Sequence, residues 1–225
     1  MAPGAGPSSV ADPATAKPAW RGWLHAVGCP LVVAAVTGLG VASPSGTPRA
    51  SVAIYGATSV LLFGVSAIYH RGHWGTAARA RWRRVDHGNI YLLIAGTYTP
   101  VATMGLRDPA RLAILWLIWC GAALGVSFRW SWPRAPRLFY TVLYIVLGWS
   151  LVPVMGELYD LAGMAVFALL LAGGLCYTAG GVVYALKRPD LSPRVFGFHE
   201  VFHACTLGGW GLQFAAVCLL VARAR

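Results

Sequence analysis

Charge is scarce in this sequence, and acidic side chains are the scarcest. Charged residues are 11% of the 225 residues, Asp and Glu together number 7, and 57% of the residues are hydrophobic. A soluble domain carries about a quarter charged residues, so this composition excludes an ordinary soluble protein and indicates a membrane protein. The net charge of +11 does not indicate nucleic-acid binding, because the basic residues lie between apolar runs. The length suits a single domain.

The sequence also lacks any cysteine pattern that would build a disulfide framework or a thiolate metal site. The number of cysteines is odd, no C-x-x-C pair occurs, and all five lie inside apolar segments: Cys29, Cys120, Cys176, Cys205 and Cys218. We predict that they are small buried hydrophobic side chains.

The N-terminal residues differ in composition from the rest of the chain. Residues 1–20 are rich in Ala, Pro, Gly and Ser, which predicts a disordered tail. Residues 21–225 form the predicted membrane domain. The tail lacks the basic segment, short apolar run and cleavage site of a signal peptide, so we expect the first apolar run to stay in the mature protein.

The apolar runs are long enough to cross a bilayer as helices. A transmembrane helix needs about 20 mostly apolar residues, and the strict alternation of a membrane β-barrel is absent. We therefore predict an all-α membrane protein of seven transmembrane helices, near residues 23–43, 51–70, 86–106, 111–128, 137–155, 161–186 and 198–222.

The distribution of basic residues predicts the orientation of these helices. The N-terminal tail and the second, fourth and sixth connections hold 13 of the Lys and Arg residues, whereas the other side holds 5. Basic residues accumulate on the cytoplasmic side of membrane proteins. The sequence therefore predicts a cytoplasmic N-terminus and a C-terminus outside.

Three histidines lie at the cytoplasmic ends of predicted helices. His70 ends the second, whereas His199 and His203 begin the seventh and are four residues apart, which places them on one helix face. Ionisable residues in membrane helices are costly and need an explanation. Three histidines plus a water molecule are the ligand set of a zinc site with an open position. We predict Zn²⁺ there, although iron, cobalt or nickel also bind three imidazoles.

Two further polar residues are predicted at the same depth. Asp86 begins the third helix, and Ser66 lies one turn before His70; either would hydrogen-bond the water or orient a histidine. The alternative is that each histidine is interfacial and that Asp86 pairs with Arg83 or Arg84 at a helix N-terminus.

The remaining histidines, His25, His73 and His87, we interpret as interfacial or loop residues. The arginine-rich segment 79–84 we interpret as a solvated cytoplasmic loop.

Three segments resemble a known family: SAIYH (66–70), DHGNIYLLIAGTYTP (86–100) and HEVFH (199–203). They are similar to the hemolysin III branch of the progestin and adipoQ receptor superfamily, over roughly residues 20–222. The resemblance implies seven helices in a bacterial plasma (inner) membrane, with zinc near the cytoplasmic face. It also implies that His70, His199 and His203 are the zinc ligands. Asp86 corresponds to the aspartate that holds the water, and Ser66 to the family's serine.

Four functions follow as hypotheses. The first is a zinc-dependent hydrolase of a lipid amide or ester, with Asp86 as general base and a water whose pKa the zinc lowers to about 7; alkaline ceramidases are wider kin. The second is a structural zinc in a receptor-like or membrane-homeostasis protein. The third, suggested by the family's name, is a cytolytic pore. The fourth is a membrane protease, because HEVFH matches H-E-x-x-H with Glu200 as base.

The expected partners are membrane lipids. The sequence does not specify an oligomeric state.

Overall fold

The structure, a computed structural model, describes residues 17–225, and most of these residues are helical. Within these residues there is no β-strand, only an isolated bridge between Ser192 and Phe196. The α-helices are α1 (Trp23–Ala42), α2 (Thr47–Arg71), α3 (Thr76–Gly105), α4 (Ala110–Ser131), α5 (Arg137–Gly148), α6 (Met155–Leu186) and α7 (Phe198–Arg223). The predicted all-α fold is confirmed.

Most of the helices have the length and hydropathy of membrane-spanning segments. Five segments in residues 17–225 meet both criteria: α1, α2, α4, α7 and the stretch from α5 through α6, Arg137–Leu186. Their outer surfaces expose large apolar side chains, such as Leu31, Trp116 and Leu124. Such surfaces are stable only against lipid. The chain is therefore a multi-pass membrane protein.

Helix α3 is less apolar because it lies at the centre of the bundle. It packs against α2, α4, α5, α6 and α7, and it buries Asn89, Thr97 and Thr99. The hydroxyl groups of Thr97 and Thr99 donate to carbonyl oxygens one turn earlier, so their polar groups are satisfied inside the helix. A helix covered by protein rather than lipid does not need an apolar surface.

Helix α3 also begins earlier than predicted. It starts at Thr76 rather than at residue 86, so the arginines of segment 79–84 belong to a helix and not to a loop. Arg79, Arg81 and Arg83 are exposed, in agreement with the predicted solvated segment. The apolar pattern could not predict this extension, because the arginines favour a helix without being hydrophobic.

The fifth and sixth predicted helices have different boundaries in the structure. Helix α5 ends at Gly148, not at residue 155, and a 3-10 turn at Val152–Val154 precedes α6. Pro153 lies in that turn, where it cannot donate a backbone hydrogen bond to continue α5. Within α6, Gly163 has φ 79° and ψ 169°, a conformation that only glycine adopts readily, and this breaks the helix near the predicted start at 161.

Glycines bring α6 and α7 close together. A Cβ atom at Gly173 would lie 2.7 Å from Gln213 and 3.1 Å from the Gly209 carbonyl oxygen, and one at Gly180 would lie 2.7 Å from Cys205. Small residues at such contacts let two membrane helices approach each other. At Gly174 and Gly181, by contrast, a Cβ atom would lie at ordinary contact distances, 3.8 Å from Trp149 and 3.4 Å from Thr141.

The segment before α1 pairs with the connection between α6 and α7. The amides of Ala19 and Trp20 donate to the carbonyl oxygens of Arg194 and Val195. Residues 1–16 of the predicted disordered tail lie outside the described residues. The contacts of Ala19 and Trp20 bring the start of α1 next to the start of α7.

Candidate metal centre

Three histidines from two helices meet at one end of the bundle. His70 lies in the last turn of α2, and His199 and His203 lie in the first turns of α7. Ring nitrogens of the three lie within 4.8 Å of one another, and the Nε2 atoms of His70 and His199 are 3.1 Å apart. The structure brings together all three predicted ligands.

The geometry of these imidazoles fits a zinc ion. Two nitrogens bound tetrahedrally to zinc at about 2.0 Å lie roughly 3.3 Å apart, close to the separation of the His70 and His199 nitrogens. A ring nitrogen of His203 lies within 4.8 Å of the other two ligand atoms. His199 and His203 are buried, so the three rings present their nitrogens to each other rather than to water.

Asp86 and Ser66 lie beside the histidines. Asp86 is buried in α3, and its Oδ2 atom is 3.9 Å from Nε2 of His70. Ser66 is buried one turn before His70, and it lines the same cavity as Asp86. Asp86 pairs with neither Arg83 nor Arg84. The five predicted polar positions on α2, α3 and α7 are thus adjacent in space.

Glu200 has a structural role that its sequence position did not indicate. Its Oε1 atom accepts a hydrogen bond of 2.6 Å from Arg21, and its Oε2 atom accepts one of 2.9 Å from the Gly197 amide. The side chain is 1% exposed and caps α7. Glu200 is therefore held inside the protein by Arg21 and by the first turn of α7. Both of its oxygens are engaged, which disfavours a role as the base of a protease.

We expect Glu200→Gln to lower the melting temperature while leaving the bound metal unchanged, since the substitution removes the charge that pairs with Arg21. Removing one partner of a charged hydrogen bond costs about 1.5–3 kcal/mol. The measurements are thermal unfolding in detergent and metal content. Glu157→Gln is the matched control, because Glu157 accepts one hydrogen bond, from the Arg107 amide, at an exposed site. Unchanged stability together with abolished peptide hydrolysis would favour the protease hypothesis instead.

His25 is a fourth histidine in the cluster, and its interpretation as interfacial was wrong. Its ring is 2% exposed and stacks on His203 with a centroid distance of 3.8 Å and an interplanar angle of 6°. Neither ring nitrogen has a hydrogen-bond partner among the described residues. The sequence contained a signal for this position. His25 lies near the start of the first predicted helix, on the same side of the membrane as His199. The stacking restricts rotation of the His203 ring.

His87 also lies inside the bundle rather than at its surface. Its Nδ1 atom is 3.0 Å from a guanidinium nitrogen of Arg129, and its carbonyl oxygen accepts a hydrogen bond from Tyr144. His73 is exposed before α3, in agreement with the predicted loop position.

A cavity of about 120 Å³ extends from the histidines between α3, α5, α6 and α7. Near one end it is lined by His25, Asp86, His199 and His203. Farther along, isoleucines and aromatic rings dominate its wall, including Ile90, Ile94, Tyr144 and Trp149. A smaller cavity of about 40 Å³ shares Tyr98, Trp149 and Gln213 with it. The metal candidate therefore opens onto an apolar interior.

The family match and the similar known proteins indicate the same family. Residues 14–214 match the family described as Haemolysin-III related. The chain is 33% identical over 200 residues to Hemolysin-3 of Bacillus cereus, covering 88% of each chain. It is 31% identical over 168 residues to a Hemolysin-3 homolog of Bacillus subtilis (strain 168), covering 74% of this chain and 75% of that one. A family match over most of the length, with the histidine cluster inside the matched region, shows that this chain belongs to the Haemolysin-III related family.

Proposed function

We propose that the protein is a zinc-dependent hydrolase that cleaves an amide or ester bond of a membrane lipid. The observation that carries this proposal is a three-histidine cluster, with a buried carboxylate beside it, at the end of an apolar cavity. Three protein ligands rather than four are typical of catalytic zinc sites, because they leave a position for substrate or water.

The cavity supports a lipid as the substrate class. Its wall carries Leu62, Ile90, Ile94 and Ile145, which would bury an acyl chain. Its polar end carries Ser66 and Asp86, where the amide or ester group of such a lipid would lie. A peptide substrate fits less well, since its backbone polar groups would be unsatisfied along the apolar part.

Each side chain of the site has a role in this proposal. His70, His199 and His203 would hold the zinc ion, which supplies a Lewis acid that polarises a carbonyl group. Asp86 takes a proton from the water that attacks the carbonyl carbon. As the C–N or C–O bond breaks, Asp86 returns that proton to the leaving amine or alcohol. Ser66 orients the Asp86 carboxylate, and the ring of His25 holds His203 in its plane.

The test is fatty-acid release from ceramides, fatty-acyl amides and fatty-acyl esters by purified protein. We expect Asp86→Asn to lower kcat by roughly 10²–10⁴-fold, the usual contribution of a general base, because the amide cannot accept the proton. Asp160→Asn, at an exposed carboxylate, is the matched control and should leave the rate unchanged. The proposal would be contradicted if the wild type released no more fatty acid than Asp86→Asn from any of these substrates.

A structural zinc is the second candidate. The distance of 3.9 Å between Oδ2 of Asp86 and Nε2 of His70 favours this candidate. A modest movement would make Asp86 a fourth ligand, and the metal would then link α2, α3 and α7. The protein would then act as a receptor-like or membrane-homeostasis protein. In that case His70→Ala lowers the melting temperature and no lipid is hydrolysed by any variant.

Cytolysis is supported by names alone, those of the two Bacillus relatives and of the family. Dye leakage from liposomes that carry the protein would favour a pore.

We further propose that all of the helices α1–α7 cross the membrane, with the N-terminus in the cytoplasm and the C-terminus outside. The contacts between α5 and α6 support this count. Tyr140 and Thr141, early in α5, face Tyr184 and Gly181, late in α6, so the two helices run in opposite directions. The excess of Lys and Arg at the end that holds the histidines supports the orientation. The metal candidate would then face the cytoplasm in a plasma (inner) membrane.

A further inference from the structure

The large cavity is a channel that runs along the helices. Its lining residues recur at every third or fourth position of α3 from Asp86 to Tyr98, and of α6 from Tyr184 back to Gly174. Residues with this spacing lie on one face of a helix, so the cavity follows both helices lengthwise. Asp86 and Tyr98 are 12 positions apart, which corresponds to about 18 Å of helix.

The smaller cavity continues this channel beyond its far end. It is lined by Val101, about one turn after Tyr98 on α3, and by Leu170, about one turn beyond Gly174 on α6. The other residues that line this cavity alone are also apolar: Leu151, Val152, Met155 and Leu171. The two cavities therefore lie end to end, and the second extends the channel by about one helical turn, roughly 5 Å.

A boundary of six residues, which line both cavities, separates them: Thr97, Tyr98, Gly148, Trp149, Gly174 and Gln213. The two glycines have no side chain. The hydroxyl of Thr97 donates to a carbonyl oxygen of its own helix. The hydroxyl of Tyr98 donates to the Gly148 carbonyl oxygen and accepts from the Leu151 amide, so it holds the end of α5 in place. Trp149 and Gln213 are the remaining side chains that can close the channel.

The indole ring of Trp149 reaches from the end of α5 to α6. Its N–H donates to the hydroxyl of Thr178 at 2.9 Å, and a Cβ atom at Gly174 would lie 3.8 Å from its ring. Gln213 approaches α6 from α7, where its Cγ atom would lie 2.7 Å from a Cβ atom at Gly173. Trp149 is the larger of the two side chains, and its ring is held at the boundary by both contacts with α6.

We propose that Trp149 sets the length of the acyl chain that the large cavity accepts. This inference rests on the proposed lipid occupant, whose carbonyl group would lie at the end that holds Asp86 and His203. The boundary is about 15–18 Å from that end, measured along α7 from His203 to Gln213 and along α3 from Asp86 to Tyr98. An extended chain advances about 1.2 Å per bond, so this distance holds about 12–15 carbon atoms.

A longer chain would have to bend back or displace the indole ring. Without that ring, the smaller cavity would add about 5 Å, which is room for about four more carbon atoms.

The test measures the affinity of saturated fatty-acyl ethanolamides whose chains have roughly 10 to 20 carbons, a range that includes the expected limit. The full-length protein carries Asp86→Asn so that no probe is cleaved, and it is kept in digitonin, a detergent without an alkyl chain. We expect the affinity to fall by about tenfold or more between chains of about 14 and about 18 carbons, because overfilling a packed site forces side chains to move.

Replacing Trp149 should move this limit. In Trp149→Leu, the fall in affinity should shift by about four carbons, so that the 18-carbon probe binds as well as the 14-carbon probe. Trp119→Leu is the matched control, because the Trp119 indole also donates to a threonine hydroxyl, that of Thr99 at 3.1 Å, yet lines neither of the two cavities. Its chain-length profile should not change.

The same profile in Trp149→Leu as in its parent would overturn the inference, and so would equal affinity for every chain length in the parent. If Trp149→Leu does not fold, Thr178→Val decides, since it removes the hydroxyl that fixes the indole ring at nearly constant side-chain size. The 18-carbon probe should then gain affinity relative to the 14-carbon probe, and an unchanged ratio overturns the inference.

Failure of the proposed hydrolase gives a different result. A wild type that releases no fatty acid contradicts the hydrolase, while the binding profile still decides the role of Trp149. If no probe of any length binds, the lipid occupant and the role of Trp149 are both overturned.

Discussion

Alanine at His203 or at His70 is expected to strip the protein of its bound zinc. The wild type should carry about one zinc per chain after purification without chelators, measured by plasma mass spectrometry. Each substitution should weaken zinc binding by about 100-fold or more, because loss of a ligand is at least as harmful as loss of a residue that orients one. The reason is structural, since His70 on α2 and His203 on α7 contribute to one cluster.

His73→Ala is the control, because His73 is exposed before α3 and belongs to no cluster. If only one of His70→Ala and His203→Ala lost its zinc, α2 and α7 would not share a site. A wild type without bound metal would remove both the hydrolase and the structural-zinc proposals. The chain would then be a helical membrane protein of the Haemolysin-III related family with a different role.

A single methyl group at Gly96 is expected to destabilise the contact between α2 and α3. A Cβ atom at this position would lie 2.8 Å from the Cβ of Thr58 and closer still to its hydroxyl oxygen. That hydroxyl donates to the carbonyl oxygens of Ile54 and Tyr55, so Thr58 cannot rotate away without losing these bonds. Overpacking costs about 1–3 kcal/mol, and a contact this short belongs at the upper end, above the gain in helix propensity from glycine to alanine of about 1 kcal/mol. The melting temperature of Gly96→Ala should therefore fall.

Gly211→Ala is the matched control, since a Cβ atom there meets nothing within 4 Å. Its melting temperature should stay equal or rise. Adding Thr58→Ala to Gly96→Ala should restore part of the lost stability, because the two sites are in contact and their effects are coupled. A melting temperature of Gly96→Ala at or above that of the wild type would mean that α2 and α3 pack less closely than in the structure.

The metal candidate could be predicted from the sequence because its residues obey simple spacing and topology. His199 and His203 are one helical turn apart, and alternating helices bring His70 and Asp86 to the same end as this pair. His25 satisfies the same topological condition, yet it was not predicted. A lone histidine near a helix start has no partner in the sequence that would distinguish it from an interfacial residue.

Contacts between distant helices could not be predicted in this way. The sequence gives Glu200 a protease-like pattern, whereas its partner is Arg21, which lies 179 positions away. Arg129 looks like one more cytoplasmic arginine near the end of an apolar run, and only the packing of α3 and α5 against α4 shows that it is buried. In both cases the role depends on which side chain is opposite in space, which hydropathy and periodicity do not encode.

The central position of α3 has a consequence for how the protein is made. Alone in lipid, α3 would expose the side chains of Asp86 and Asn89 to hydrocarbon, at a cost that its modest hydropathy does not offset. In the proposed arrangement, we therefore expect α3 to be stable in the bilayer only when it packs against its neighbours, chiefly α2 and α4. The residues that equip this helix for the cavity thus make its biogenesis depend on its neighbours.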